Sequence, residues 1–395
     1  MTPAARTEAA VEILDQVIAA ASEGGAAADT LVSRYFGTRR YAGAKDRRAV
    51  RDLVYAAIRR AGERPTGGRA AMVALADDDP ALAATFDGSV HGPAPIEADE
   101  PRAVAGSAPD WLVETLVASG VSSETMAALV GRAPLDLRVN RLKASREDVL
   151  AMLPEVEATP FAPDGLRLWR GGNVEAMPVY RDGLVEVQDE GSQIVGMALG
   201  AKPGDRIVDL CAGAGGKTLA LAAAMANEGV LLAADVDRAR LSRLKPRSVR
   251  AGVTIVETLL LDPNREAEAL GDWVGTADGV LVDAPCSGTG TWRRNPEARW
   301  RLTPDRIDRL AMTQTRLLAL AATLVRPGGT LAYIVCSLLD AEGAEQVDAF
   351  LAAHPRWIAE PPALPAGRSH GAGRRLDPAR DGTDGFFVAR LRAPC

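Results

Sequence analysis

In the second half of the chain, short apolar runs alternate with longer stretches in which apolar residues recur at helical spacing. The apolar runs predict strands at Arg206–Leu210, Val230–Ala234, Val253–Val256, Val280–Asp283, Thr330–Cys336 and Phe386–Leu391. The stretches between them predict helices at Lys217–Ala226, Arg238–Arg250 and Pro304–Leu324. Alternating strands and helices are typical of a parallel, doubly wound sheet. We therefore expect an α/β domain over residues 189–395.

The first half of the chain follows other patterns, which predict two smaller parts. A helical domain over residues 1–105 is indicated by one apolar stripe at helical spacing, formed by Val50, Leu53, Val54, Ala57 and Ile58. The segment Gly88–Ala108, rich in proline, glycine and acids, is predicted to be an acidic linker. Residues 106–188 are predicted to form a small α+β subdomain with a helix capped by Ser145. Its strand-like runs begin at Leu135, Leu166 and Leu184.

The composition agrees with a folded chain of two or three domains. Of the 395 residues, 47% are hydrophobic, which excludes an intrinsically disordered protein. No apolar run approaches the ~20 residues needed to span a bilayer, and the N-terminus has no pattern of a secretion signal. The four cysteines are well separated, so we expect free thiols in a reducing cytoplasm rather than a disulfide framework.

Basic residues are clustered, although the net charge of the chain is −6. Ten Lys and Arg accompany three acids between Arg34 and Arg64, and five basic residues lie between Arg132 and Arg146. A third cluster is interleaved with Trp292 and Trp300, as in surfaces that bind single-stranded nucleic acid. A solvated face is the ordinary alternative for each cluster. The side chains that we expect to contact nucleic acid are Arg138, Arg141, Lys143, Arg293, Arg294 and Arg299.

A glycine-rich loop with the sequence DLCAGAGGKT follows the first core strand at Asp209–Thr218. Glycines in such a loop let a ligand approach backbone amides at the N-terminus of the next helix. Asp235, Asp262 and Asp283 end the next three predicted strands, at the sheet edge where ligands of these folds bind. Several carboxylates at this edge suit a cationic nucleoside such as S-adenosylmethionine.

ATP is the competing ligand, because residues 211–218 nearly match the phosphate-binding pattern G-x-x-x-x-G-K-[ST]. The mismatch lies at the first position, where Cys211 stands instead of glycine. An ATP site also leaves Asp235 without a role and gains nothing from several carboxylates. The loop alone favours the methyl donor by a small margin, and both ligands stay open at this point.

Two cysteines lie at the ends of successive predicted strands. Cys286 belongs to DAPCSGTG and Cys336 to YIVCSL, and a serine follows each. A strand cysteine is more often a small buried apolar residue, but two thiols beside one cofactor pocket favour chemistry. A thiolate that adds to carbon 6 of a pyrimidine makes carbon 5 nucleophilic enough to take a methyl group. Asp283 is placed to stabilise charge on the N3 and N4 edge of the ring.

These motifs resemble those of the RsmB-like (Sun/Fmu) branch of the RNA cytosine-5 methyltransferase family. The resemblance extends from Leu135 to Leu391 and rests on LRVNRLKAS, VQDEGSQ, DLCAGAGGKT, DAPCSGTGTWRRNPEARW, YIVCSL and DGFFVARL. It implies a class I methyltransferase (Rossmann-like) fold, S-adenosylmethionine as donor and 5-methylcytosine in RNA as product, with small-subunit ribosomal RNA the expected substrate. Neither a metal nor a membrane is expected as a partner. The N-terminal residues resemble the helical NusB-like RNA-binding domain of the family.

The resemblance also implies roles for individual residues. Cys336 corresponds to the nucleophile, and Cys286 corresponds to the cysteine that helps to release the product. The residues that would contact the donor or the target base are Cys211, Ala212, Gly213, Ala214, Gly215, Gly216, Lys217, Asp235, Asp262 and Asp283.

Three alternatives remain open from the sequence. A DNA cytosine-5 methyltransferase would use Cys286 as its nucleophile, but the YIVCS strand would then be unexplained, and no long recognition insert follows Cys286. A P-loop-like NTPase would bind ATP with Mg²⁺. A non-catalytic RNA-binding assembly factor would keep the basic clusters and would tolerate the loss of both cysteines.

Overall fold

The computed structural model of the chain describes residues 1–169 and 172–395. They divide into two compact units, of which one is Met1–Arg132 with Thr291–Thr303, and the other is Ala133–Gly290 with Pro304–Cys395. In the described part of the chain, no helix combines the length and the apolar character needed to cross a membrane.

The first unit is helical, as its apolar stripe predicts. The stripe lies on α3, where Val50, Val54 and Ile58 are fully buried and pack in one core with Ile13 and Leu14. Its helices are α1 (Pro3–Glu23), α2 (Ala28–Gly37), α3 (Ala44–Arg60), α4 (Gly68–Ala76), α5 (Pro80–Ala83), α6 (Asp110–Ala118) and α7 (Ser123–Leu129).

The segment Thr291–Thr303 supplies buried polar groups to this unit. Arg299 has no exposed surface, and its Nη2 donates hydrogen bonds to the carbonyls of Ile58 (2.6 Å) and Ala61 (2.7 Å). Its Nη1 donates to the carbonyl of Pro296. The carbonyls at the C-terminus of α3 have no partner within their own helix, so a buried cation is well suited to bind them.

The prediction that Arg299 and Arg293 contact RNA is therefore wrong. Arg299 is fully buried and Arg293 is 6% exposed, so neither guanidinium is presented to a solvated phosphate backbone. Trp300, which the sequence suggests as a stacking partner for a base, is also buried and donates its Nε1–H to the carbonyl of Gly62. This basic and aromatic cluster stabilises the helical unit.

The second unit begins with a small antiparallel sheet in the order β2-β3-β1-β4. The predicted cap of its first helix is present, because the side chains of Ser145 and Asp148 form a reciprocal capping box. The elements are β1 (Leu135–Val139), α8 (Arg146–Met152), β2 (Glu157–Ala158), β3 (Gly165–Leu168), α9 (Pro178–Arg181) and β4 (Val185–Val187).

The rest of the second unit is the predicted doubly wound α/β sheet, with the strand order β11-β12-β13-β9-β8-β5-β6-β7. Within this order, the neighbouring strands β9, β8, β5, β6 and β7 pair in parallel. Strand β13 lies antiparallel to β9 and also pairs with β10. The elements are α10 (Glu190–Gly196), β5 (Arg206–Asp209), α11 (Gly216–Ala224), β6 (Val230–Asp235), α12 (Arg238–Leu241), α13 (Leu244–Ala251), β7 (Val256–Leu260), α14 (Glu266–Ala269), β8 (Ala277–Asp283), α15 (Pro304–Leu324), β9 (Val325–Val335), α16 (Ala344–Ala353), β10 (Ile358–Glu360), β11 (Arg368–His370), β12 (Gly373–Leu376) and β13 (Phe386–Arg392).

Three predicted elements of this domain differ from the structure, and one of them is the strand predicted at Thr330–Cys336, which begins at Val325. The predicted helix Arg238–Arg250 is broken into α12 and α13, and Pro246 falls in the first turn of α13, where a missing N–H is tolerated. The strand predicted at Val253–Val256 begins only at Val256. Gly252 ends α13 with φ 73°, and the amide of Val253 still bonds to the carbonyl of Ser248, so Val253 belongs to the helix terminus.

We predict that Arg299→Ala destabilises the helical unit by about 2–4 kcal/mol, because buried carbonyls lose their donors. Urea denaturation followed by circular dichroism measures this effect. Arg48→Ala, which removes an exposed arginine of α3, serves as the matched control and should change stability little. An equal effect of the two substitutions would contradict the buried role of Arg299.

Candidate active site

The candidate site lies at the carboxyl ends of the central parallel strands of the second unit. Strands β5, β6 and β8 end in Asp209, Asp235 and Asp283, and Cys336 directly follows β9. Because these strands run in parallel, their ends meet at one edge of the sheet. The sequence-based expectation of clustered carboxylates at this edge is confirmed for these three aspartates.

The glycine-rich loop is held in place by hydrogen bonds from both sides. Gly213 and Gly215 have φ angles of 55° and 86°, a region that favours glycine. The amide of Gly213 donates to Oδ2 of Asp235 at 2.7 Å, and Nη1 of Arg247 donates to the carbonyl of Ala214 at 2.5 Å. The loop then enters α11, whose first backbone amides are free of intrahelical partners, as at every helix N-terminus.

Two further ionisable groups lie at the centre of the edge. Asp209 is 1% exposed and accepts a hydrogen bond from the hydroxyl of Thr218 at 2.7 Å. Burial raises the pKa of Asp209 to about 7, and the Thr218 bond only partly opposes this rise. Lys217 is buried too, and its Nζ donates to Oδ2 of Asp283 at 2.6 Å. Burial alone would lower the pKa of Lys217, but the charge of Asp283 raises it above its usual value.

The two thiols predicted from the strand ends are in contact. The Sγ atoms of Cys286 and Cys336 are 3.4 Å apart, and both residues are half-buried. Their loops are joined by a hydrogen bond from the amide of Gly290 to the carbonyl of Cys336 at 3.0 Å. The contact with Cys336 and burial together raise the pKa of Cys286 well above its ordinary value. Cys286 is therefore held as a neutral thiol.

A buried polar network that sequence reasoning missed lies next to the thiols. The carboxylate of Glu342 accepts hydrogen bonds from Ser287, Ser337 and the side-chain amide of Gln314. The only sequence signal for it was the serine that follows each cysteine. Glu342 comes from a short 3₁₀ turn after β9, which no periodicity marks as part of the site.

Two other residues predicted to contact the donor take no part in these hydrogen bonds. Asp262 is exposed two residues after the end of β7, and its carboxylate makes no hydrogen bond to any described residue. Cys211 packs against the apolar core, and burial raises the pKa of its thiol well above the ordinary value. Among residues 1–169 and 172–395, no three His, Cys, Asp or Glu side chains are grouped so that they could hold a metal ion.

The basic residues near β1, which the sequence predicts to contact RNA, make contacts within the second unit. Arg138 is 6% exposed and lies opposite Glu186 in the strand register, so the prediction that it contacts RNA is wrong. Lys143 donates its Nζ hydrogens to the carbonyls of Asp182 and Arg250, at 2.8 and 2.7 Å. The exposed Arg141 pairs with Asp164, and Arg294 of the other unit is half-buried; RNA contact by these two and by Lys143 stays a prediction.

Comparison with known proteins identifies relatives over most of the chain. A family model described as 16S rRNA methyltransferase RsmB/F matches residues 196–392, and a model described as the RsmF/B-like ferredoxin-like domain matches residues 108–175. The probable ribosomal RNA small subunit methyltransferase B of Synechocystis sp. is 36% identical over 299 residues, which are 72% of this chain and 67% of that protein. The chain thus spans about two thirds of the length of this curated relative.

Two solved structures share the fold. The crystal structure of PH0851 is 26% identical and superposes with a TM-score of 0.79 over 98% of both chains. The structure of NSun6 from Pyrococcus horikoshii with SFG is 21% identical, with a TM-score of 0.65 over 72% of this chain and 98% of that one. These likenesses and the family models confirm the predicted class I methyltransferase fold.

We predict that Asp209 makes stability depend on pH near neutrality. Its folded pKa lies above that of an unfolded aspartate, so the folded chain binds more protons, and stability should fall as the pH rises from about 4 to about 7. Asp209→Asn should flatten this fall, whereas substitution of the exposed Glu257 by Gln should preserve it. Urea unfolding midpoints across this pH range measure the difference; equal slopes in the wild type and Asp209→Asn would contradict the assignment.

Proposed function

Because this chain belongs to the RsmB/F family of 16S rRNA methyltransferases, we propose that it methylates carbon 5 of a cytosine in ribosomal RNA. The observation that carries this proposal is the 3.4 Å contact of the Cys286 and Cys336 thiols, next to the Lys217–Asp283 pair. Methylation of a base oxygen or an exocyclic nitrogen needs no thiol. Carbon 5 of a pyrimidine needs one, because it becomes nucleophilic only after a nucleophile adds to carbon 6.

The residues at the sheet edge fit S-adenosylmethionine as the methyl donor. Gly213 and Gly215 allow the positive φ angles of the loop, and Asp235 and Asp209 supply carboxylates that suit a ligand with a sulfonium and an ammonium. Oδ1 of Asp209 is buried and makes no hydrogen bond to any described residue, which leaves an acceptor for a ligand. When bound, S-adenosylmethionine would supply the methyl group. NSun6, which has the same fold, is described with SFG, an analogue of this donor.

The thiols are assigned different tasks because their surroundings differ. The contact with Cys336 and burial raise the pKa of Cys286 well above its ordinary value, which keeps this thiol protonated, and the family resemblance makes Cys336 the nucleophile. Cys336 would therefore form the bond to carbon 6 of the cytosine. Asp283, aligned by Lys217, would stabilise the charge that the addition places on the N3 and N4 edge. When the carbon 5 proton has left, Cys336 is expelled and the ring recovers its double bond, with Cys286 assisting this release.

The competing nucleotide function is disfavoured by the partner of Lys217. In a phosphate-binding loop, the lysine reaches the phosphates of the nucleotide. In this chain Lys217 pairs with Asp283 at 2.6 Å, and the site is otherwise lined by carboxylates that repel phosphate. No observation favours a non-catalytic assembly factor over an enzyme, and the thiol contact is unexplained by that function.

We expect bisulfite sequencing of small-subunit ribosomal RNA to show one methylated cytosine that is lost in a strain lacking this gene. A plasmid with the wild-type gene should restore the mark, and one with Cys336→Ala should not. Restoration by Cys336→Ala would contradict the chemistry. An unchanged methylation pattern in the deletion strain would contradict ribosomal RNA as the substrate.

Separate replacement of the two cysteines tests their roles. Cys286→Ala should accumulate a covalent RNA–protein adduct, because release is impaired, and Cys336→Ala should form none, because it lacks the attacking sulfur. Denaturing gel electrophoresis with labelled RNA measures the adduct, and Cys395→Ala is the control, since this thiol is exposed and distant in sequence. The opposite pattern would assign the nucleophile to Cys286, as in DNA cytosine-5 methyltransferases.

A further inference from the structure

The contact between the two thiols needs an explanation, because the cysteines lie in separate loops. Cys286 follows β8 and Cys336 follows β9, and no disulfide joins the two thiols. Strand pairing fixes the backbone only as far as the ends of the strands. Something beyond the sheet must hold the two loops together, and each loop offers a serine directly after its cysteine.

Glu342 binds both of these serines. Its Oε1 accepts the amide hydrogen of Ser287 at 2.8 Å, and its Oε2 accepts the hydroxyl of Ser287. The same Oε2 accepts the hydroxyl of Ser337 at 2.6 Å. One carboxylate thus connects the residue after Cys286 with the residue after Cys336.

Two further side chains extend this network to the loop backbones. Gln314 of α15 donates from its Nε2 to Oε1 of Glu342 at 3.1 Å and to the carbonyl of Pro285 at 2.9 Å, next to Cys286. The hydroxyl of Thr289 accepts the amide hydrogen of Leu338 at 2.9 Å and lies 3.0 Å from Oγ of Ser337. The network therefore reaches the backbone on both sides of the thiol pair.

Burial of the Glu342 carboxylate costs free energy, and packing alone does not compensate for that cost. Glu342, Gln314 and Ser337 have no exposed surface, and within the described residues no basic side chain pairs with Glu342. Burying a carboxylate is costly unless its oxygens are fully hydrogen-bonded. Four donors from Ser287, Ser337 and Gln314 meet that need, and the hydroxyl of Tyr333 fixes the turn by donating to the Glu342 carbonyl at 2.6 Å.

We propose that Glu342 is a positioning residue, which holds Cys286 and Cys336 in contact by binding the serine that follows each of them. Glu342 has no exposed surface, so its effect on a ligand would pass through the two cysteines. Its consequence for catalysis rests on the proposed function, since the relative position of the two sulfurs decides whether one can attack a base while the other serves its release. The positioning itself is a property of the protein alone and can be measured without RNA.

The charge of Glu342 has a second effect on the thiol pair. The ionisable groups around the pair are Lys217 and Asp283 at the donor side, and Glu342, Tyr333 and Cys211 toward the interior. After the contact with Cys336 and burial, the negative charge of Glu342 is a further cause of the raised pKa of Cys286. Removal of this charge should lower the pKa of Cys286, whereas a loss of packing alone predicts no decrease in that pKa.

A disulfide cross-link measures the position of the thiols. Diamide oxidises two neighbouring thiols to a disulfide and takes up their two hydrogens, and mass spectrometry quantifies the Cys286–Cys336 peptide. The wild-type chain should cross-link readily, and Glu342→Ala should cross-link roughly tenfold more slowly, because the loops lose their shared anchor. Glu342→Gln keeps the side-chain shape and should retain most of the rate. Glu345→Gln, at an exposed position of α16, is the matched control.

The pH dependence of Cys286 alkylation by iodoacetamide separates positioning from general packing. Glu342→Gln should shift its midpoint to lower pH, and Glu345→Gln should not. Unchanged cross-linking in Glu342→Ala together with an unshifted midpoint in Glu342→Gln would overturn the proposal. If Glu342→Ala does not fold, the double variant Ser287→Ala/Ser337→Ala decides, since it removes the anchored hydroxyls and should slow cross-linking. Failure of the wild type to methylate RNA would overturn the proposed function and leave these thiol measurements intact.

Discussion

Strands β8 and β9 lie side by side in parallel, with Asp283 opposite Ile334, and the whole site depends on this register. It places the loop of Cys286 and the loop of Cys336 at one edge of the sheet, three and two residues beyond the paired positions. A slip of one residue would move one loop by about 3.3 Å along the strand and would turn alternate side chains to the other face. The 3.4 Å thiol contact cannot survive such a change. The buried side chains of Val280, Val282, Leu331 and Tyr333 fix the register, so the core and the site are specified together.

The electrostatics of the site follow from its uneven balance of charge. Asp209, Asp235 and Asp283 meet at one edge, and Lys217 pairs with Asp283. Asp209 is buried, and burial raises its pKa to about 7 although the Thr218 hydrogen bond and the charge of Lys217 oppose this rise. A site of this kind costs stability in the free protein and favours a ligand that brings positive charge. The same balance makes the glycine-rich loop a poor phosphate site, although its sequence is close to the phosphate-binding pattern.

The features that could be predicted from the sequence are those set by local patterns. The helix Pro304–Leu324, the cap at Ser145 and the cysteines at two strand ends depend on residues close in the chain, and the structure contains them all. The arginines were misjudged because charge in a sequence does not show what a side chain meets. The guanidinium of Arg299 meets carbonyls of residues about 240 positions away, which no local pattern can show. Glu342 was missed for the same reason, since its three partners come from separate parts of the chain.

The two thiols are similar in sequence context and differ only through what the fold places beside each. Lys217 arrives from the helix after β5 and interacts with Cys336, whereas Glu342 arrives from the turn after β9 and affects Cys286. The negative charge of Glu342 favours the protonated form of Cys286. The arrangement therefore separates the two sulfurs by charge while strand register and the serine contacts hold them together.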